Sequence, residues 1–300
     1  MNFSDFLKRV FKKIRYLLEA VIVKFGLWIF YVMGQERASN IAAKIAQFVG
    51  KKIAVHKLAY NNLSKAMPEL SEKEKEKILD DMWDNLGRVV GEYPHVAKYS
   101  HEEIGKIFDI SQEAVDIIKK LKESKKGGII FSGHIGNWEI GPKVFLNQGL
   151  KVSTVYRPLN NPYVEKMTAS IRKTDLITKS ANGNRKIIET IKAEGFILIM
   201  ADQKISEGEP IKFFNDDAIT TTSIARIALK YDIPVIPARA IRIGKSFKFL
   251  ASVEEPLTIK RTKDLNADIT NLTCEINRKL EKWIRQYPSQ WFWVHNRWKK

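Results

Sequence analysis

The sequence predicts an α/β fold: a single α/β sandwich domain with helices on both faces of a central sheet, preceded by an N-terminal membrane-anchor helix. After residue 127, short apolar runs bounded by glycine or polar residues alternate with amphipathic segments, which is typical of such sandwiches. No Pro/Ser-rich linker or internal repeat divides the chain, and 300 residues with 44% hydrophobic content can bury a large core. We therefore expect an anchor over residues 1–34 and one domain over residues 35–300.

The N-terminal segment is basic and carries the most hydrophobic run of the chain. Residues 1–60 hold eleven Lys or Arg residues against three Asp or Glu residues. The apolar run at residues 17–33 has Trp28 and Tyr31 near one end and is interrupted by Glu19 and Lys24. Because about 18 uncharged apolar residues indicate a spanning helix, three interpretations stay open: a tilted spanning helix, an interfacial amphipathic anchor, or a buried core helix.

Helical patterns follow the anchor. The spacing over residues 36–67 predicts a helix with Ile41, Ile45, Phe48 and Val49 on one face. A capping box at residues 71–74 opens the next helix, and residues 111–122 form another.

Strands and helices alternate in the rest of the chain. Helices are predicted at residues 138–146, 163–172, 185–193, 221–230 and 264–285. Strands are predicted at residues 128–132, 151–156, 196–200, 234–243 and 247–253, and the last two form a hairpin around Gly244.

The turn after the strand at residues 128–132 carries a histidine and a carboxylate. His134 and Glu139 would lie about 140° apart on a regular helix, so they meet only if the chain turns between them. Gly133, Gly136 and Asn137 provide that turn. A carboxylate that accepts one ring N–H fixes the tautomer and leaves the other nitrogen free as a general base. A histidine that only caps a helix is the structural alternative.

Three polar side chains follow three of the predicted strands. His134, Arg157 and Asp202 come after the strands at residues 128–132, 151–156 and 196–200. Ligands of open α/β sheets bind beyond the carboxyl ends of the strands. We therefore expect these side chains to meet at one site.

The residues around His134 resemble a known family. The string His134-Ile-Gly-Asn-Trp-Glu139 resembles the His-x4-Glu motif of the lipid A biosynthesis acyltransferases, the lauroyl and myristoyl acyltransferases of Gram-negative bacteria, in the lysophospholipid-acyltransferase-like superfamily. Three further blocks follow in the family's order. They are Tyr156-Arg157-Pro158 with Asn161-Pro162, Asp202-Gln203 ahead of Phe213-Phe214, and the aromatic tail from Gln290 to Trp298. Together the blocks cover about the last two-thirds of the chain.

The resemblance implies acyl transfer from a thioester to a hydroxyl, which needs a base and positive charge for the oxyanion. His134 is the expected base and Glu139 its orienting carboxylate. Arg157 is expected to bind the oxyanion or a phosphate, with a surface or sheet-edge salt bridge as the alternative. Asp202 would hold Arg157 or a substrate group, or would be a turn aspartate. Gly136 and Asn137 are candidate N–H donors near the reacting carbonyl.

The resemblance also implies the ligands and the location. The acceptor would be an anionic lipid A precursor and the donor an acyl group on acyl carrier protein, with acyl-CoA as the other possible donor. The site would be at the cytoplasmic face of the bacterial inner membrane. No metal or diffusible cofactor is implied. The aromatic tail is expected either to line an interfacial belt or acyl groove, or to pack on the core.

Two alternatives stay open, one from composition and one from the resemblance. The formal charge of +17 attracts polyanions, including nucleic acid, anionic lipid and acidic proteins. A basic nucleic-acid-binding protein is one alternative, although no nucleic-acid motif is present and no nucleic-acid partner is expected. The other is an acyltransferase acting on a different glycolipid or aminolipid. Cys274 is the only cysteine, and the chain lacks a P-loop, Gly-x-Gly-x-x-Gly and Gly-x-Ser-x-Gly.

Overall fold

The computed structural model describes residues 3–205 and 208–298; the ends of the predicted anchor and domain, at residues 1–2 and 299–300, lie outside them. Short 3₁₀ turns occur at Tyr93–Lys98 and Pro288–Gln290. The helices are α1 (Phe3–Met33), α2 (Gln35–Gly50), α3 (Ala54–Ala66), α4 (Glu72–Glu92), α5 (His101–Ile107), α6 (Gln112–Glu123), α7 (Pro142–Asn147), α8 (Pro162–Arg172), α9 (Ala181–Lys192), α10 (Ser223–Tyr231) and α11 (Leu265–Gln286).

A mixed sheet lies at the centre of the fold. The strands are β1 (Phe108–Ile110), β2 (Gly128–Ser132), β3 (Val152–Tyr156), β4 (Asp175–Thr178), β5 (Phe196–Met200), β6 (Glu209–Phe213), β7 (Asp216–Thr220), β8 (Val235–Arg242) and β9 (Phe249–Val253). The central sheet has the order β1-β9-β8-β2-β5-β3-β4, and only its β8–β9 pair is antiparallel. β6 and β7 form a separate hairpin. The predicted α/β class, with a central sheet and flanking helices, is confirmed.

The buried strand β2 contributes to two hydrophobic clusters. Ile129 and Phe131 pack in a cluster with Ile276 and Leu280 of α11. Ile130, between them, packs in a second cluster with Ile118 of α6. Successive side chains of a strand point to opposite faces, so β2 is packed between two apolar layers. This packing fixes the position at which the following turn, with His134, begins.

Several predicted boundaries need correction. The single helix expected over residues 36–67 is two helices, α2 and α3, separated at residues 51–53. The helix expected from residue 138 begins at Pro142, a residue suited to the first turn of a helix. Two further strands, β1 and β4, are not predicted from the sequence; both are short and lie at the two edges of the sheet. Such strands are buried on one side at most and carry a weak apolar pattern.

Helix α1 is long, apolar and exposed. Residues Leu7–Met33 have a mean hydropathy of 1.7, and none of the apolar window is buried. By length and composition this helix can cross a membrane, whereas the interpretation as a buried core helix is wrong. Helix α1 is bonded to the rest of the fold at the start of α8. The Asn161 side chain at the start of α8 donates to the Tyr16 carbonyl at 2.8 Å and to the Glu19 carboxylate at 3.0 Å.

Helix α2 buries its small residues and exposes its large ones. Ala42 and Ala43 lie against α4, where the Cα atoms of Gly87 and Gly91 allow the two backbones to approach closely. Ile45 and Phe48 on the opposite face are 53% and 67% exposed. The apolar stripe seen in the sequence therefore faces away from the core.

Candidate active site

The predicted strand-end residues meet at one edge of the sheet. β2, β5 and β3 are adjacent and parallel, so His134, Asp202 and Arg157 emerge side by side. A cavity of about 470 Å³ lies above them and is lined by His134, Glu139, Arg157, Arg172 and Gln203, among others. Asp202 lies beneath it and is fully buried. The expected convergence of the three strand ends is what the structure shows.

Asp202 orients His134. The Nδ1 atom of His134 lies 2.8 Å from Oδ1 of Asp202, and the backbone N–H of His134 donates to Oδ2 at 2.6 Å. The indole N–H of Trp291 also donates to Oδ2, at 2.8 Å. An ionised carboxylate only accepts, so Nδ1 carries the proton and Nε2 is left as an acceptor. Gln203 places its amide nitrogen 3.3 Å from that Nε2 atom.

The buried carboxyl of Asp202 stays ionised. Burial alone raises the pKa of the Asp202 carboxyl. The charge and hydrogen bonds of His134, with the bond from Trp291, outweigh that effect and bring the pKa down to about 2. A charged carboxylate held this way fixes the imidazole tautomer and can stabilise an imidazolium.

Glu139 does not hold the imidazole, which corrects the expectation for this residue. Both of its carboxylate oxygens accept from Arg172, with Nε at 2.8 Å and Nη2 at 3.0 Å. Burial lowers the pKa of Arg172, but the bonds to Glu139 outweigh burial and the net shift is upward, so the guanidinium stays charged. The turn between His134 and Glu139 brings both side chains to the same cavity, but the Glu139 carboxylate pairs with Arg172 and not with His134. A catalytic role for Glu139 remains a prediction.

Gly136 and the Asn137 side chain shape the turn and are not free donors. The Gly136 N–H donates to the Gln290 carbonyl, and the Asn137 amide donates to Glu92. Gly136 has a φ of +61°, and a Cβ there would lie 1.9 Å from the Ala240 carbonyl oxygen. The position therefore requires glycine for backbone and space alike. The Gly136 N–H and the Asn137 side-chain amide are therefore already bonded within the fold, while donation by the Asn137 backbone N–H to the reacting carbonyl remains a prediction.

A buried polar network supports this turn. Arg242 donates to both carboxylate oxygens of Glu92, at 2.6 and 2.8 Å, and also to Asn85. Asn85 in turn donates to the Gly136 carbonyl at 3.0 Å. All three residues are at least nine-tenths buried. Removing one member of the buried ion pair would leave the other charge without a partner, which is strongly destabilising. We therefore infer that this network keeps the turn rigid.

Arg157 lies at the mouth of the cavity. Its side chain is exposed and forms no ion pair within the described part of the chain. The alternative of a surface or sheet-edge salt bridge therefore finds no partner among residues 3–205 and 208–298. Of the roles expected for Asp202, an ion pair with Arg157 is not formed, because its carboxylate accepts from His134. Lys179 also lines the cavity and is exposed, so two cations are available to an anionic ligand.

Aromatic side chains wall the site and fill the space behind it. The His134 ring lies 5.2 Å from the Trp138 ring and 6.2 Å from the Phe292 ring, between centroids. Trp291 and Trp293, on either side of Phe292, are buried in the core. The tail is therefore mainly packed on the core, with Phe292 alone of these three in ring contact with the His134 imidazole.

Three residues of the site, Arg172, Gln203 and Phe292, are not individually predicted from the sequence. Arg172 is the last residue of α8 and lies 33 residues from Glu139, so no sequence pattern predicts that the two side chains pair. Gln203 follows Asp202 at the end of a predicted strand, and this position is a signal from which its place in the site could be predicted. Within the described residues, no three His, Cys, Asp or Glu side chains form a group that could hold a metal.

Comparison with known proteins gives a consistent result. Residues 6–300 match the family described as bacterial lipid A biosynthesis acyltransferase. The chain is similar to the lipid A biosynthesis myristoyltransferase of Escherichia coli (strain K12), with 22% identity covering 85% of this chain and 78% of that protein. It is 24% identical to the palmitoleoyltransferase of the same organism, covering 87% and 83%, and 23% identical to its lauroyltransferase, covering 81% and 78%.

The depressed pKa of Asp202 predicts a pH effect on stability. Because the folded-state pKa is about 2 against an ordinary 3.8, ionised Asp202 stabilises the fold above pH 3.8, and this contribution is lost as the pH falls towards 2. The difference corresponds to about 2 kcal/mol. Urea unfolding followed between pH 5 and 2 should show a shallower loss of stability in Asp202→Asn than in wild type. Asp109→Asn, an exposed aspartate, is the control, and parallel curves for wild type and Asp202→Asn would contradict the assignment.

Proposed function

The chain belongs to the family of bacterial lipid A biosynthesis acyltransferases, and we propose that it transfers a fatty acyl chain, of the lauroyl or myristoyl type, from acyl carrier protein to a hydroxyl of a lipid A precursor. The observation that carries this proposal is the imidazole of His134. Asp202 holds it by Nδ1, and its Nε2 atom faces the cavity side chain Gln203. A histidine so held is suited to remove a proton from a hydroxyl.

The reaction follows from this arrangement. Nε2 of His134 takes the proton of the acceptor hydroxyl as its oxygen attacks the thioester carbonyl. The imidazolium that forms is stabilised by the ionised Asp202. When the tetrahedral intermediate collapses, the C–S bond breaks, the ester forms, and the leaving thiolate takes the proton from His134. The Gln203 amide, next to Nε2, is our candidate donor to the oxyanion.

The opposite side of the cavity is suited to the acceptor. The carboxylate of Glu139 can accept from sugar hydroxyls while Arg172 fixes its position. Nη1 of Arg172 is buried without a hydrogen-bond partner among the described residues, which supports a role for it in donating to an acceptor oxygen. Arg157 and Lys179 at the mouth suit a phosphate, because a lipid A precursor is anionic.

We place the enzyme at the cytoplasmic face of the bacterial inner membrane, with residues 1–34 as its anchor and residues 35–300 as the acyltransferase domain. The exposed apolar surface of α1 supports this location. The basic residues ahead of the run would attract anionic headgroups where α1 lies along the cytoplasmic surface of the membrane. The net charge of +17 suits an acidic donor protein and an anionic lipid surface.

A second candidate is acyl transfer to another glycolipid or aminolipid, since the same base would serve any hydroxyl or amine. Mass spectrometry of lipid A from cells with and without the gene separates the two. Loss of one acyl chain from lipid A supports the proposal, and an unchanged lipid A spectrum would contradict it. Family membership favours both lipid substrates over the nucleic-acid-binding alternative.

Substitutions at the imidazole and its carboxylate should act as one unit. His134→Ala is expected to lower kcat by about 10²–10⁴-fold. Asp202→Asn should fall in the same range, and the double variant should be little worse than His134→Ala. Glu139→Gln should lose less, mainly through a higher KM for the acceptor. The measurement is acyl transfer from acyl carrier protein by purified protein, with His56→Ala, outside the cavity, as control. Full turnover by Asp202→Asn beside an inactive Glu139→Gln would refute the assignment.

Arg157→Lys should weaken acceptor binding. A lysine keeps the charge but cannot form a bidentate contact with a phosphate, so KM for the phosphorylated acceptor should rise about tenfold with little change in kcat. Steady-state kinetics with varied acceptor measures this effect. The matched control is Arg185→Lys, an exposed arginine outside the cavity. An unchanged KM in the Arg157 variant would remove Arg157 from the acceptor site.

A further inference from the structure

A second cavity lies between α1 and α8. Its volume is about 570 Å³, within the range of small-molecule sites. Each helix contributes a stripe of residues three and four positions apart, which is one helical face. The stripes include Leu17, Val21 and Lys24 of α1, and Tyr163, Lys166 and Met167 of α8. We call this cavity the α1–α8 groove.

The groove is separate from the catalytic cavity. None of the residues that line it also lines the cavity above His134. One of its walls is α1, the helix that we place in the membrane. At the Leu17 side, the bond from Asn161 to the Tyr16 carbonyl ties the two helices together. The groove therefore opens where α1 would meet lipid. The part of α8 that lines it does not line the cavity above His134.

The chemistry of the groove is that of an amphiphile site. Leu17, Val21 and Tyr163 give apolar walls and are 43%, 65% and 40% exposed, so they lack protein neighbours on one side. Lys24 and Lys166 are exposed, and neither forms an ion pair with a described residue. Apolar walls with two uncompensated cations fit a hydrocarbon chain attached to an anion.

We propose that the α1–α8 groove binds an anionic phospholipid of the bilayer, with one acyl chain against Leu17, Val21 and Met167 and its phosphate at Lys24 and Lys166. The inference rests on the proposed membrane seating of α1. A bilayer lipid fits better than the acceptor, because the acceptor must reach His134 and the groove shares no lining residue with that cavity. The bound lipid would fasten α1 to α8.

Native mass spectrometry of the full-length protein in detergent tests this inference, with phosphatidylglycerol and phosphatidylcholine of equal chain length as probes. Wild type should retain phosphatidylglycerol preferentially. Lys24→Gln/Lys166→Gln should lose that preference, with affinity for phosphatidylglycerol lower by roughly tenfold to thirtyfold. Ala20→Leu, which fills the groove, should weaken both lipids. Lys73→Gln/Lys77→Gln removes two exposed charges elsewhere and should behave as wild type.

Two results would overturn the inference. One is equal retention of phosphatidylglycerol by wild type and by the Lys24/Lys166 and Ala20 variants. The other is unchanged lipid binding with loss of acceptor turnover in those variants, which would assign the groove to the acceptor. Acyl transfer by the same wild-type sample reports separately on the proposed function, because lipid retention does not require turnover.

Discussion

The carboxylate of Asp202 is the group around which the site is assembled. It is buried beneath the cavity and accepts from the backbone and ring of His134 and from the indole of Trp291. These bonds join the ends of β2 and β5 to a tail segment almost 90 residues further along the chain. A buried charge is costly unless it is fully paired, so the native fold must bring all three donors together. The same bonds leave Nε2 of His134 as an acceptor next to Gln203.

This constraint explains the roles of the neighbouring residues. With the imidazole already held by Asp202, Glu139 is free to pair with Arg172 at the end of α8. The start of α8 is bonded to α1 through Asn161. The short helix α8 therefore connects the candidate membrane helix to a wall of the cavity above His134. The positions of Arg172 and Glu139 therefore depend on how α1 packs against α8.

The sequence predicts the secondary-structure elements of this fold better than the contacts between its side chains. The sequence predicts the buried strands β2 and β5 to the residue, because a continuous apolar run that begins at or just after a glycine is a strong local signal. His134, Arg157 and Asp202 were placed at one sheet edge for the same reason. The partner of His134 was wrong because nearness in sequence favoured Glu139, whereas Asp202 is 68 residues away. The use of the Gly136 N–H by Gln290, and the exposure of the α2 stripe, depend on tertiary packing that no local pattern contains.

The central claim is that Asp202 fixes the tautomer of His134. The most direct measurement is the pair of imidazole ¹⁵N chemical shifts of His134 by NMR, in wild type, Asp202→Asn and Glu139→Gln. In the neutral ring, we expect the proton on Nδ1 in wild type and in Glu139→Gln, and a shift towards a mixture of tautomers in Asp202→Asn. A wild-type spectrum in Asp202→Asn, together with a changed tautomer in Glu139→Gln, would contradict the account.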